Sequence, residues 1–199
     1  MAYVIIGLGN PGGEYEKTRH NAGRMVAELF AKEEGLGEFK SKKTAQALVS
    51  DGAIDGEKVT VALPEVYMNV SGKTALGLIK SKPAAKKLLV IRDDLDLPLG
   101  VIKMTGYGRG AGGHKGAESI MRALKTKDFV QMKIGIAGQT PKGKLKKVSG
   151  EEKVIKHVIG KFKPAEELLL KKTLKKAAEA TRYFVTDGIE KAMLVANTK

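Results

Sequence analysis

Hydrophobic and polar positions along this chain alternate with two periods, and the order of these periods predicts an α/β fold. Short apolar runs typical of buried strands occur at 3–7, 45–49, 58–63, 87–92, 101–105 and 130–136. Helical spacing of apolar residues, or a capping pattern that opens a helix, occurs at 21–34, 71–80, 116–124, 149–157 and 164–186. Strands that alternate with helices predict one domain, 1–199, whose twisted, mixed and largely parallel sheet is flanked by helices and followed by a C-terminal helix.

Composition restricts the class of protein and its partners. The chain has 199 residues, a formal net charge of +14 and no cysteine, which excludes disulfides, thiolate catalysis and cysteine-based zinc sites. It contains neither an apolar stretch of about 18 residues nor an N-terminal targeting pattern, so we expect a cytoplasmic protein without membrane contact. The charge indicates a polyanionic partner such as nucleic acid, bound through its phosphate backbone. A lysine-rich surface that serves solubility is the alternative.

The first candidate site follows the strand predicted at 3–7. Residues 7–12 (GLGNPG) form a glycine-rich turn, and His20 lies ten residues after Asn10. The turn matches a dinucleotide-binding pattern, but a PGG segment separates its glycines from the next helix, which disfavours that cofactor. Sites of α/β proteins lie at strand ends, so Asn10 and His20 are candidates for substrate binding and proton transfer.

A carboxylate cluster follows the strand predicted at 87–92. It consists of Asp93, Asp94 and Asp96. A histidine that acts as a base generally needs an orienting carboxylate, and this cluster is the best supplier for His20. A magnesium site and a plain turn are the alternatives that the residues leave open.

Two further segments precede predicted helices. Residues 71–74 (SGKT) imitate the end of a phosphate-binding P-loop, but Tyr67 stands where that loop needs a glycine. Just ahead of this helix, Asn69 is either a turn residue or a donor to a substrate carbonyl. The second segment, 106–116, is rich in glycine and contains Arg109 and Lys115, which favours close approach to a phosphate over a disordered linker. A basic loop is predicted at 142–147.

Four segments together resemble the signatures of the bacterial-type peptidyl-tRNA hydrolase family. They are 7–12 with Tyr15 and 18–21 (TRHN), 67–73 (YMNVSGK), 93–100 (DDLDLPLG) and 112–116 (GGHKG). The resemblance runs in order over nearly the whole chain, and the joint match is specific although each segment by itself is weak. It implies a single α/β domain, usually monomeric, that cleaves the ester between a peptide and the 3′ ribose of tRNA without a metal or cofactor.

The resemblance also implies roles for individual residues. His20 is implied to be the general base for an attacking water, and Asp93 to orient it. Asn10 and Asn69 are implied to hold the substrate near the scissile ester. The residues implied to line the cleft are Tyr15 and Met68.

The chain departs from the family pattern in two places. Lys115 stands where the family usually has asparagine, and Thr105 stands near a position that is usually basic and contacts tRNA. Lys103 or Arg109 can take over that contact, and Lys133 is a further candidate tRNA contact. The change at Lys115 motivates an alternative hypothesis, a non-catalytic protein that binds structured RNA on the same scaffold.

Overall fold

The structure, a computed structural model, describes residues 1–140 and 144–198, which form a single α/β domain. The strands of this part of the chain are β1 (Tyr3–Gly7), β2 (Lys40–Lys42), β3 (Ala47–Ile54), β4 (Glu57–Pro64), β5 (Leu88–Pro98), β6 (Ile102–Thr105) and β7 (Val130–Ala137). Its α-helices are α1 (Ala22–Glu33), α2 (Gly72–Leu78), α3 (Lys115–Leu124), α4 (Glu151–Val158), α5 (Glu167–Thr186) and α6 (Ile189–Asn197).

The strands of the described residues form one mixed sheet in the order β2-β3-β4-β1-β5-β7-β6. The central pairs β4–β1, β1–β5 and β5–β7 are parallel, and the pairs at both edges are antiparallel. The central strands are almost continuously apolar because helices cover both faces of the sheet. The predicted fold class, a largely parallel mixed sheet between helices, is confirmed.

The hydrophobic core has two layers, one on each face of the sheet. On one face, Phe30 of α1 and Phe184 of α5 pack against Ile5 and Ile91. On the other face, α2 and α3 cover the sheet. Helix α1 lies so close to β5 that a Cβ atom at Gly23 would be 2.2 Å from the carbonyl oxygen of Ile91. This contact brings the start of α1 directly onto the strand that carries Asp93.

The C-terminal helix α6 covers the edge of the sheet that β6 forms. Asn197 of α6 accepts a hydrogen bond from the backbone N–H of Met104 at 2.8 Å and donates one to the backbone carbonyl of the same residue at 3.1 Å. This side chain replaces the missing neighbour of edge strand β6, whose backbone groups would otherwise be unpaired. Within the described part of the chain, none of the helices is long and apolar enough to cross a membrane.

Several elements differ from the sequence prediction. The strand predicted at 87–92 continues to Pro98, so Asp93 and Asp94 lie within β5 rather than after it. Strand β2 and helix α6 were not predicted, since both are short and their apolar spacing is weak. The strand predicted at 45–49 is longer, because β3 runs from Ala47 through Gly52 to Ile54 before the turn at 55–56. Of the basic loop predicted at 142–147, residues 142 and 143 lie outside the described residues.

Candidate active site

The centre of the candidate site is a buried carboxylate that two histidines share. The Oδ1 atom of Asp93 lies 2.8 Å from Nδ1 of His20 and 2.9 Å from Nε2 of His114. His20 belongs to the short 3₁₀ turn that precedes α1, and His114 precedes the first residue of α3. The side chain of Asp93 is almost fully buried, so these contacts lie in a medium of low dielectric and are strong. The sheet thus joins three segments that are far apart in sequence.

Hydrogen bonds determine which ring nitrogen carries the proton. The backbone N–H of Ala117 donates to Nδ1 of His114, so the proton of this ring is on Nε2 and is donated to Asp93. His20 donates from Nδ1, which leaves a lone pair on Nε2 without a protein partner among the described residues. The His20 side chain is 17% exposed, whereas that of His114 is 6% exposed. His20 is therefore the histidine that can accept a proton from a bound water.

Burial and the two rings act in opposite directions on the pKa of Asp93. Burial by itself would raise this pKa, but the charges and hydrogen bonds of His20 and His114 outweigh it and hold the pKa of Asp93 well below its usual range. Burial lowers the pKa of His114, and the interaction with Asp93 offsets only part of that effect. At neutral pH the site therefore combines an ionised carboxylate with a neutral His114.

His20, Asp93 and His114 also have the composition of a divalent-metal site, since one ligand atom from each lies within 4.8 Å of the others. A metal would need the lone pair of Nε2 of His114, and the proton of that ring would then move to Nδ1. There it would face the N–H donor of Ala117, although metal-bound histidines need an acceptor at this nitrogen. The N–H of Ala117 at Nδ1 of His114 therefore suits a ring that donates to a carboxylate from Nε2 better than a ring that binds a metal there.

The segments at 7–12, 67–73 and 112–116 meet beside this centre. The Oδ1 atom of Asn10 accepts a hydrogen bond from the backbone N–H of Met68 at 2.9 Å, and Asn21 bonds to both backbone polar groups of Asn10. A Cβ atom at Gly116 would lie 2.5 Å from the sulfur of Met68 and 3.2 Å from the ring of His114. Only glycine leaves room for this approach, which locks the start of α3 onto the other two segments.

A cavity of about 340 Å³, here called the catalytic cavity, opens beside the shared carboxylate. His20, Asp93 and Lys115 are the predicted site residues that line it. Lys115 lies 3.4 Å from Glu151 of α4, and both side chains are largely exposed, so this ion pair is weak. The apolar wall of the cavity consists of Leu95, Val148, Val154, Ile155 and Val158.

A second cavity of about 550 Å³, here called the basic cavity, contains the three predicted cationic residues Lys103, Arg109 and Lys133. Thr105 and Asn197 line it as well. Gly112 lines both cavities, so the glycine-rich loop at 106–113 forms the boundary between them.

The other predicted residues lie outside these two cavities. Asn10 lines a cavity of about 470 Å³ together with Arg24 and acidic side chains. Tyr15 is half-buried in the turn before His20, and Asn69 is exposed. Met68 is buried, so its side chain packs beneath the residues of the site and offers no free surface to a substrate.

Sequence reasoning missed His114 as a site residue, although the quoted segment GGHKG contains it. The available signal was its position directly before a helix, because a side chain there accepts a hydrogen bond from the first turn. Its contact with Asp93 spans 21 residues of sequence and depends on the tertiary fold. Arg92, which precedes Asp93 in β5 and lines the catalytic cavity, was also missed as a site residue.

Lowering the pH from about 7 to about 5 is expected to cost the folded protein up to roughly 2 kcal/mol through His114. Burial lowers the pKa of this ring in the folded protein, whereas the unfolded chain takes up the proton below about pH 6.5. The contribution to stability is therefore complete above that pH and is lost as the pH falls. Denaturant unfolding of the wild type and of His114→Asn at both pH values measures it, since asparagine keeps an acceptor for Ala117 without a titratable ring. An equal loss in both proteins would contradict this prediction.

The fold and the site together define a class of protein. It is an α/β protein with a histidine–carboxylate pair at the carboxyl edge of a mostly parallel sheet, next to a basic surface. Such a pair can activate water for attack on a carbonyl group. The protein therefore belongs to the class that combines a hydrolase-type site with a surface for binding a polyanion.

Comparison with known proteins makes the class specific. The sequence profile described as peptidyl-tRNA hydrolase matches residues 4–199. The chain is 42% identical over 192 residues to a peptidyl-tRNA hydrolase of Carboxydothermus hydrogenoformans, covering 96% of both chains. It is 38% identical over 198 residues to one of Herpetosiphon aurantiacus, covering 98% of this chain and 90% of the relative. The crystal structure of peptidyl-tRNA hydrolase from Acinetobacter baumannii superposes with a TM-score of 0.85 at 32% identity, covering 99% of this chain and 95% of that one.

The chain belongs to the peptidyl-tRNA hydrolase family. The resemblance that the four sequence segments indicated is thereby confirmed.

Proposed function

We propose that the protein hydrolyses the ester bond between a peptide and the 3′ ribose of tRNA, which recycles tRNA from prematurely released peptidyl-tRNA. The observation that carries this proposal is the hydrogen bond from Nδ1 of His20 to Asp93, which leaves Nε2 free for a water. Family membership supports the same reaction, because the named relatives are peptidyl-tRNA hydrolases. These observations favour an enzyme over the alternative of a non-catalytic RNA-binding protein.

The reaction needs one base that later acts as an acid. A water bound at Nε2 of His20 attacks the ester carbonyl carbon and gives its proton to that nitrogen. The ionised Asp93 stabilises the imidazolium that forms. When the tetrahedral intermediate collapses, the bond to the ribose 3′ oxygen breaks and that oxygen takes the proton from His20. The products are a peptide with a free carboxylate and a tRNA with a free 3′ hydroxyl group.

The oxyanion of the intermediate needs a hydrogen-bond donor. The side-chain carbonyl of Asn10 is occupied by the backbone N–H of Met68, so its amide group has donors to offer. Asn69 follows Met68 directly and is exposed, so it can supply a second amide donor. Asn10 lines a neighbouring cavity rather than the catalytic one, but it is bonded to Met68, which lies against Gly116 beside the ring of His114, and on this connection we assign it to the catalytic set. We assign Asn69, Tyr15 and Met68 to the binding or support of the substrate.

The two cavities differ in charge, which orients the substrate. The catalytic cavity carries four carboxylates, from Asp93, Asp94, Asp96 and Glu151, against two cations, Arg92 and Lys115, so its net negative charge disfavours a phosphate there. Its apolar wall suits peptide side chains instead. The basic cavity offers Lys103, Arg109 and Lys133, which suit the phosphate backbone of tRNA. We therefore infer that the peptide lies in the catalytic cavity and the tRNA body follows the basic one.

His114 completes the site by fixing the carboxylate. It donates to the same oxygen of Asp93 as His20, so the carboxylate cannot rotate away without losing two hydrogen bonds. We infer that His114 is a positioning residue, because neither of its ring nitrogens is free to exchange a proton with substrate. Lys115, the next residue, lies at the mouth of the cavity and is assigned to substrate binding.

The domain at 1–199 is proposed to act as a monomer in the cytoplasm. The histidine–carboxylate centre and both cavities are formed by one chain, which supports a monomeric enzyme. A substrate produced by translation supports the cytoplasmic location.

Release of N-acetyl-amino acid from N-acetyl-aminoacyl-tRNA tests this proposal. We expect turnover that persists with a chelator present during protein preparation and assay, because the proposed steps use His20 and Asp93 rather than a metal. Absence of turnover by a folded protein that still binds tRNA would overturn the proposed reaction. Turnover that the chelator abolishes and zinc or magnesium restores would overturn the metal-free chemistry.

A further inference from the structure

Arg92 is a buried cation that the proposed reaction does not use. It precedes Asp93 in β5 and is the largest side chain among the fully buried residues, with 1% exposure. A buried guanidinium is costly unless its donors are satisfied. One of its nitrogens, Nη2, has no hydrogen-bond partner in the described residues and would lie 3.5 Å from a Cβ atom at Gly112. Arg92 therefore lies directly under the loop that separates the two cavities.

The hydrogen bonds of Arg92 connect that loop to the catalytic strand. Nη1 donates to the backbone carbonyl of Asp93 at 2.9 Å, and Nε donates to the side-chain carbonyl of Gln131 at 3.3 Å. The amide of Gln131 in turn donates to the backbone carbonyls of Arg109 and Gly110 at 3.1 and 3.3 Å. A continuous chain of hydrogen bonds thus runs from the loop that carries Arg109 to the residue that holds His20.

A carboxylate shared between cations extends this network into the basic cavity. Arg92 pairs with Lys133 in the register of β5 and β7, and Lys133 pairs with Lys103 of β6. The Oδ2 atom of Asp94 lies 3.3 Å from Arg92 and 3.4 Å from Lys133, so it is divided between them. An RNA phosphate that binds Lys133 competes with Asp94 for the ammonium group. Asp94 is then free to approach Arg92 and its unpartnered nitrogen.

We propose that Arg92 is a positioning residue that couples binding of an RNA phosphate in the basic cavity to the alignment of Asp93. This inference rests on the proposed hydrolysis and adds a residue to it. Phosphate binding moves the shared carboxylate toward Arg92, and Arg92 transmits the change through the backbone of Asp93 and through Gln131. The enzyme thereby reaches its full rate only on substrates that carry the tRNA body.

Kinetics on two substrates test this coupling. One substrate is N-acetyl-aminoacyl-tRNA, and the other is an N-acetyl-aminoacyl ester of adenosine, which carries no phosphate for the basic cavity. We expect Arg92→Met to lower kcat on the tRNA substrate roughly 10- to 100-fold, as small misplacements of catalytic groups do, with KM nearly unchanged. Turnover of the short ester should fall by a much smaller factor, because Arg92 contacts Asp93 even without RNA but the phosphate-dependent part of the effect is absent there, and Arg92→Lys should recover part of the rate on tRNA. Equal losses on both substrates, or none on the tRNA, would overturn the coupling.

Two controls separate coupling from a purely structural role. Arg182→Met removes a guanidinium that bridges Glu34 and Asp55 away from both cavities, and it should leave both rates unchanged. Gln131→Leu breaks the network while keeping Arg92, so it should reproduce the loss on tRNA even if Arg92→Met fails to fold.

A measurement without turnover keeps the coupling separate from the proposed function. A tRNA acceptor-stem duplex without its single-stranded CCA end should shift the ring NMR signals of His114 in the wild type, although it has no group that reaches the catalytic cavity. It should bind Arg92→Met, or Gln131→Leu in its place, without that shift. A wild type that is inactive on both substrates would refute the hydrolysis, while these signals would still decide the coupling. If the signals of His114 shifted in the variant as they do in the wild type, the coupling through Arg92 would be overturned.

Discussion

Replacement of His20 by alanine is expected to lower kcat by about two to four orders of magnitude, the usual contribution of a general base. His20 lines the catalytic cavity with an Nε2 lone pair that has no protein partner among the described residues, and His114 cannot replace it because both of its nitrogens are engaged. Affinity for tRNA should remain near the wild-type value, since the cations of the basic cavity are untouched. Single-turnover hydrolysis and a filter-binding assay with uncleavable tRNA measure the two quantities.

His157→Ala is the matched control for this experiment. His157 contacts the backbone carbonyl of Ile136 and does not line the catalytic cavity, so its loss should change the rate at most severalfold. A His20→Ala enzyme that keeps a rate similar to that control would remove His20 from the mechanism. A large loss of tRNA affinity together with the loss of rate would instead assign His20 to binding.

Asp93→Asn is expected to lower kcat by roughly 10³- to 10⁴-fold, as loss of the carboxylate does in comparable histidine–carboxylate sites. The amide oxygen can still accept from both rings, but without a negative charge it cannot stabilise the imidazolium that forms on His20. The change also leaves buried donors of His20 and His114 less well satisfied, which should cost about 1–3 kcal/mol of unfolding free energy. Steady-state kinetics and denaturant unfolding of the same preparation measure both effects.

Asp128→Asn, at an exposed position before β7, serves as the control for a lost negative charge. It should leave both rate and stability near the wild-type values. If Asp93→Asn lost stability but kept its rate, the carboxylate would be a structural element and the assigned mechanism would be wrong. A rate loss without loss of stability would show that the buried donors find other partners.

Most of the fold was predictable because its signals are local. The apolar runs of β1 and β7 and the helical spacing of α1 and α5 predicted these elements within a few residues of their bounds, and the start of β5 was predicted equally well. The predicted end of β5 was wrong because its last residues include charged ones, and charged residues normally mark the end of a buried strand. Here Asp93 and Asp94 are tolerated in the strand because histidines, Arg92 and Lys133 compensate them. That compensation comes from other elements and is invisible in a local window.

The candidate site was predictable in part. Strand ends followed by polar residues identified Asn10, His20 and the carboxylate cluster, and the joint order of four segments indicated the family. The sequence left open whether Asp93 orients a histidine, binds a metal or belongs to a turn. The hydrogen bonds to Asp93 and the donor at Nδ1 of His114 favour the orienting role.

The sequence by itself determined the class of fold, the basic character of the protein and the residue types available for chemistry, since these depend on composition and short-range spacing. The tertiary structure decided which of those residues meet. It joined His20 to a carboxylate 73 positions away, placed His114 on the same oxygen, and left, of these two rings, only that of His20 with a lone pair that no described protein group occupies. Such contacts arise when the sheet closes and water is excluded, so their strength and their proton positions are properties of the folded chain.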